Sequence, residues 1–264
     1  MRIFTQKNSS ILRELITTDF KVRYQGSILG YLWSFLRPLL LFSILYIVFT
    51  HVFKLGGSIP HYPVYLLLGI VLWNFFTEAS SNAMTSIVVR SELIKKISIA
   101  RYSLVLSSIF SALINLSFNL LIIFIISIFS NINITLEWLM LIPLILELIV
   151  LAIGLGFLLS TLFVVFRDLT YIWEVFLQAA FYLTPIIYPI SIINNLSFEK
   201  IIMINPVAQI IQDARYLLIT KHTVTGWSIL ASGTKLIPVV LTLIILIIGS
   251  IYFKKESKYF AERI

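Results

Sequence analysis

FRDLTYIWEVFLQAAFYLTPIIYPISIINNLSFEKIIMINP, residues 166–206, decides how this chain is built. An apolar run leaves a charged pair, Arg167-Asp168, and continues as an aromatic-rich helical segment until it meets Pro185 and Pro189. It does not restart as a simple spanning run. Apolar clusters broken by Asn194, Asn195, Ser197, Glu199, Lys200, Asn205 and Pro206 carry on to about Ile219. Broken backbone at membrane depth is tolerated only where protein buries it or where it lines a cavity. The specific work of the protein is expected there.

The rest of the chain fits that reading. Of 264 residues, 59% are hydrophobic and only 12% charged, and the mean hydropathy is +0.99. No soluble domain of this size hides so much apolar surface, so the class is an integral helical membrane protein with no room for a soluble catalytic domain. Cysteine is absent, which removes disulfides, thiolate metal sites and cysteine nucleophiles. The first 27 residues are charged and lack the apolar core of a cleavable signal. The formal charge of +8 comes from basic residues beside the ends of apolar runs. That is a topology signal and argues against nucleic acid as a partner.

Taken in order, residues 1–27 form a cytoplasmic lead-in with an amphipathic interface helix at about 9–24. There Ile11, Leu12, Leu15, Ile16 and Phe20 share a side, while Arg13, Glu14, Lys21 and Arg23 lie mostly off it. Residues 28–264 form the transmembrane domain, an all-α unit of six spans. The spans are expected at about 28–53, 64–88, 104–129, 139–166, 172–188 and 236–253, with a re-entrant far-side region at about 190–219. Asp213 and Arg215 within that region are expected at the headgroups rather than paired with each other.

Polar residues recur every four positions on the second span (Asn74, Glu78, Asn82, Ser86) and on the third (Ser107, Ser111, Asn115, Asn119). Such stripes read first as hydrogen-bonding seams between helices, with a transport-path lining as the alternative. Glu147 and Glu174 are the other carboxylates within apolar runs. Ala152, Gly156 and Ser160 give the small-xxx-small spacing of a close helix crossing. Arg167-Asp168 is either a tight-turn ion pair or part of a cytoplasmic gate, with the structural role favoured.

Six spans put both termini on one side. Fifteen Lys and Arg residues then share that side and five lie opposite, so both ends are expected in the cytoplasm. Motifs for chemistry are missing. No G-x-x-x-x-G-K-[ST] loop is present, so the chain is not expected to bind ATP itself. His51, His61 and His222 are scattered, and no metal site is expected.

On KVRYQGSILGYLWSFLRPLL (21–40), SELIKKISIAR (91–101), FRDLTYIWEVFLQAAFYLTPIIYP (166–189) and NPVAQIIQDARYLLI (205–219), nearly the whole chain resembles the transmembrane subunits of ABC-2-type exporters. The similarity is to the permeases for O-antigen, capsule or teichoic acid. It departs from them at Ile99-Ala100-Arg101, where Phe-Pro-Arg is common, and at Arg37 before Pro38.

The resemblance implies a transport subunit in a bacterial cytoplasmic membrane, not an enzyme. Two copies would pair with two copies of a separate ATPase, which would hold the ATP and Mg; this chain needs no cofactor. The cargo would be a lipid-linked polysaccharide or polyol-phosphate polymer, and membrane lipids would surround the homodimer. The amphipathic helix, with Arg13 and Glu14, and the 90–101 loop, with Arg90, Glu92, Lys95, Lys96 and Ile97, would meet the ATPase. Short loops leave a partner few other places to push. Phe176, Phe181, Tyr182 and Tyr188 are candidates for the pathway wall, because aromatic rings combine apolar faces with polar tips. An interfacial aromatic belt is the competing reading for Tyr188. Two other functions compete: a drug or lipid exporter of the same group, and a membrane transferase on lipid-linked sugars. The transferase needs an acid/base set that these carboxylates do not assemble.

Overall fold

The computed structural model describes residues 6–24, 30–52, 59–96, 99–193 and 195–263. Its long apolar runs are helices, as a chain without water for its backbone requires. The N-terminal helix α1 (Gln6–Tyr24) is followed by a short 3-10 turn (Gly30–Leu32) and α2 (Trp33–Ile47), which ends in one wide turn at Val48–Val52. Next come α3 (Tyr62–Val89), the short α4 (Ser91–Lys96), α5 (Arg101–Phe129) and α6 (Leu141–Val165), then α7 (Leu169–Leu183). The broken region after α7 holds α8 (Leu196–Ile204), α9 (Pro206–Leu218) and the single turn α10 (Gly226–Ile229); α11 (Ile237–Glu256) and α12 (Phe260–Arg263) finish the chain. Among the described residues there is no strand.

Four of these helices are long and apolar enough to cross a membrane. They are α3, α5, α6 with the turn before it (Leu136–Val165), and α11 with the turn after it (Ile237–Tyr259). Pro38–Val52 and Leu169–Leu183 are shorter apolar helices. Six apolar helices therefore stand where six spans are expected, but two fall short. With 15 residues, α7 rises only about 22 Å against a hydrocarbon core of about 30 Å. It stops at Leu183 rather than running on to Tyr188, because Pro185 forces Thr184 into extended backbone (ψ 134°).

The core is built round α3. That helix is buried over most of its length, with apolar residues on all sides but the one that carries Asn74, Glu78 and Asn82. It packs between α5 and α6, and α6 packs in turn on α11. Glycines allow these approaches. A Cβ on Gly156 would meet Ala83 Cβ at 2.9 Å and Ile109 and Val105 at 3.2 Å. Gly156 thus serves the crossing expected from its spacing. Gly154 and Gly249 do the same for α6 and α11: a Cβ on Gly154 would lie 2.7 Å from the Leu246 backbone, and one on Gly249 would run into the Gly154 carbonyl.

Where the sequence shows only interruptions, this region has helix starts. Asn195 accepts from the Ser197 and Phe198 N–H groups (3.0 and 3.4 Å) and caps α8. Asn205 accepts from Val207 N–H (3.0 Å) and Pro206 takes the first position of α9, a good place for a residue with no N–H to give.

Candidate functional site

A cavity of about 850 Å³ opens between α2, α3, α5 and α7. The polar stripes of α3 and α5 meet at it. Asn74, Glu78 and Asn82 line it from α3, and Asn115 and Asn119 from α5. Asn115 donates to Glu78 Oε1 at 2.8 Å, and Asn119 donates to the Asn115 carbonyl at 2.7 Å. The stripes are therefore a seam and a lining at once. From α7 come Glu174 and Gln178, and Trp33 and Leu41 close the α2 side. Aromatic surface is supplied by Trp73, Phe181 and Tyr182; Trp73 and Phe181 meet edge to face, 5.9 Å between centroids. Carboxamides beside aromatic rings make a wall that offers many weak, replaceable contacts and few strong ones.

Of the four aromatic pathway candidates, the cavity brings together Phe181 and Tyr182. Phe176 lies elsewhere, exposed and stacked on Trp173 at 5.0 Å. The Tyr188 hydroxyl donates to the Tyr182 carbonyl at 3.0 Å, pinning the turn after α7 back on that helix. Glu147 is half-buried on α6 and is not among the residues that line the cavity. Its Oε1 has no hydrogen-bond partner.

At the opposite end of the bundle Arg90 closes α3. It reaches Asp19 of α1 at 2.6 Å and donates to the Leu104 carbonyl of α5 at 3.0 Å, with Ser107 at 3.3 Å. One guanidinium ties three helices. Arg13, Glu14, Glu92 and Lys95 are exposed nearby on α1 and α4. Lys96 ends α4, and Ile97 lies outside the described residues. The expected tight-turn ion pair between Arg167 and Asp168 is not made among the described residues. Arg167 lies over the Phe163 ring instead, 5.5 Å from its centroid. Backbone bonds form the turn, Leu169 N–H donating to Phe166 O at 3.3 Å and Tyr171 N–H to Asp168 O at 3.1 Å.

The turn after α7 shows how broken backbone survives. Its carbonyls are taken one after another by side chains from distant helices. Arg215 donates to Pro185 O (2.6 Å) and Ile186 O (2.5 Å), and Tyr62 donates to Ile187 O (3.0 Å). Arg215 also donates to Tyr65 O at 3.0 Å, with its guanidinium 3.6 Å from the Tyr65 ring centroid. The side chain is fully buried, so the expected headgroup position does not hold. Nor does it pair with Asp213, which bonds Gln209 Nε2 at 2.5 Å. Burial pushes the Asp213 carboxyl up from its ordinary value, against the lowering effect of Gln209 and the Gly226 backbone. Gly69 makes the room: a Cβ there would run into the Arg215 guanidinium. Sequence reasoning missed this assembly. Its only signals are a glycine in an apolar run and an arginine beyond the prolines, about 150 residues apart.

Known proteins share this arrangement of sequence. The model of the ABC-2 type transporter family matches residues 11–219. The O-antigen export system permease protein RfbA of Klebsiella pneumoniae is 32% identical over 208 residues, 78% of this chain and 79% of that one. A second Klebsiella pneumoniae protein of that name is 30% identical over 96% of this chain and 94% of its own. The Myxococcus xanthus protein of that name is 24% identical over 96% and 95%. Together with a helical bundle that holds a polar, aromatic cavity among its membrane helices, the match over 11–219 places the chain in the ABC-2 type transporter family.

Proposed function

We propose that this chain is the permease subunit of an ABC exporter that moves a lipid-linked polysaccharide out of the cytoplasm, with a separate ATPase subunit as its engine. The observation that carries the reading is the cavity wall of Asn74, Asn82, Asn115, Gln178, Trp73, Phe181 and Tyr182. A hydroxyl-rich chain can slide past such groups, trading one weak hydrogen bond for the next. The relatives named O-antigen export permeases support the cargo class; capsule and teichoic acid polymers share the same chemistry of repeating hydroxyls.

In this reading α2 and α7 are the first and fifth spans, shortened because α2 starts late and Pro185 stops α7. The Arg90 end is cytoplasmic, with both termini, and α8–α10 form the re-entrant far side in the cytoplasmic membrane. Two copies pair, and two ATPase subunits bring ATP and Mg to them. The docking face is α1 and α4, with Arg13, Glu14, Glu92 and Lys95 on its surface. Because Arg90 joins α1 to α3 and α5, a push at that face passes straight into the walls of the cavity.

Deletion of the gene followed by detection of surface polysaccharide tests the cargo. Export should vanish and return with the wild-type copy. Co-purification tests the engine: the chain should recover a soluble ATPase and stimulate its turnover, and substitution of Lys95 and Lys96 should weaken the stimulation. Surface polysaccharide that persists unchanged in the deletion strain sinks the proposal.

A further inference from the structure

The far-side end holds a second cavity, of about 380 Å³. It lies between the start of α3, the turn at Pro189–Ile192, α9 and the loop after α9. One of its lining residues is Gln212, whose side chain is fully buried, with no partner for Oε1 or for Nε2. The Thr223 hydroxyl, on the same cavity, is also buried without a partner. A carboxamide has two donor hydrogens and two acceptor lone pairs. Leaving such a group dry and unpaired is costly, so a native fold keeps one for a reason.

The remaining wall says what would fill the space. Among the described residues that line it there is no Lys, Arg, Asp or Glu. An anion would find no countercharge and a cation no carboxylate, and an uncompensated charge is expensive in such a place. The wall instead alternates apolar surface, from Tyr65 and Ile190, with polar groups from Ser191, Thr220, Thr223 and His222. A pyranose ring has this same mixture: C–H faces that pack on apolar side chains, and adjacent hydroxyls that each donate and accept. A carboxamide can bridge two such hydroxyls, one through its oxygen and one through its nitrogen.

We infer that this cavity is a binding site for one neutral sugar ring, with Gln212 as its two-point anchor. The chemistry of the site stands by itself. That the ring is a unit of the exported glycan rests on the export reading above.

Purified full-length permease in lipid nanodiscs, free of sugar-headed detergent, gives the test. Saturation-transfer NMR with methyl glycosides of glucose, galactose, mannose and rhamnose should show transfer to the ring protons of at least one. Gln212→Leu should weaken that glycoside on the order of tenfold or more, the loss of one hydrogen-bonding anchor. It should also raise the melting temperature of the empty permease, because it removes an orphaned amide. Thr223→Val should weaken binding without lowering the melting temperature, as a second and independent affinity arm. Inorganic phosphate should not compete.

A silent panel, an unchanged affinity in the variants that fold, displacement by phosphate, or a Gln212→Leu protein that melts lower than wild type each overturns the site. The last would mean that Gln212 serves the fold, through water or a neighbour. A silent panel beside intact export in cells removes the site alone. Glycoside binding beside unchanged surface polysaccharide in the deletion strain removes the export reading alone.

Discussion

Arg215 carries a charge with no exposed surface and, among the described residues, no carboxylate bonded to it. Burial of that kind is costly unless the guanidinium finds acceptors. Here three backbone carbonyls and the Tyr65 ring face take it up, and two of those carbonyls, at Pro185 and Ile186, are free only because proline ends α7. The arginine and the break explain each other. Arg215→Met should lower stability by about 3 kcal/mol or more, since it strands buried carbonyls at about 1–3 kcal/mol each. Arg215→Lys should lose less, because an ammonium still donates, though not in a planar fork. Gly69→Ala should cost about 1–3 kcal/mol by overpacking against the guanidinium. Combined with Arg215→Lys, whose head is narrower, its cost should shrink, and the departure from additivity is the signature of direct contact. Thermal melting of the four purified variants reads all of these. The sequence shows that Arg215 is charged and that it follows two prolines. It does not show where acceptors lie in space, so the headgroups look like the natural home for a charge that has in fact been taken inside.

At the scale of elements, the long apolar runs made α3, α5, α6 and α11 legible, because length and hydropathy are local properties. The short elements were read less well. α7 ends where backbone sterics at Pro185 dictate, not where apolar residues run out. The cavity stripes show a different limit: four-residue spacing puts Asn74, Glu78 and Asn82 on one face, but only packing reveals that α5 and α7 leave a space in front of them. Coupling between α1 and the bundle likewise includes one ion pair, beside the packing of α1 along α5. Asp19 and Arg90 stand 2.6 Å apart, both largely shielded from water. Asp19→Asn should loosen α1 by about 1–2 kcal/mol and reduce ATPase stimulation roughly fivefold or more. The swapped pair, Asp19→Arg with Arg90→Asp, should recover part of it if the ion pair itself is what matters. ATPase turnover in reconstituted membranes is the measurement. Equal stimulation by the Asp19→Asn protein would break the link between α1 and the walls.

Seen whole, the molecule pairs a tightly joined part with a lightly attached one. α6 and α11 touch backbone to backbone at Gly154 and Gly249, so neither can shift far without the other. Gly249→Val should force them apart, costing about 1–3 kcal/mol or more and lowering the yield of monodisperse protein on size-exclusion chromatography. The spacing of Ala152, Gly156 and Ser160 pointed to a close crossing on α6 and was met at Gly156. Gly154 and Gly249 escaped notice because no local pattern says which two helices will cross. α7, by contrast, leaves Tyr171, Ile172, Val175, Phe176, Tyr182 and Leu183 exposed, and its far end hangs from the bundle by the carbonyls that Arg215 and Tyr62 hold. That anchorage doubles as a clock. A dicarbonyl reagent that attacks guanidinium groups has no route to Arg215 until the turn lifts away from α3. The rate at which this one arginine is modified, followed by mass spectrometry as ATP is turned over, would count how often this turn comes ajar.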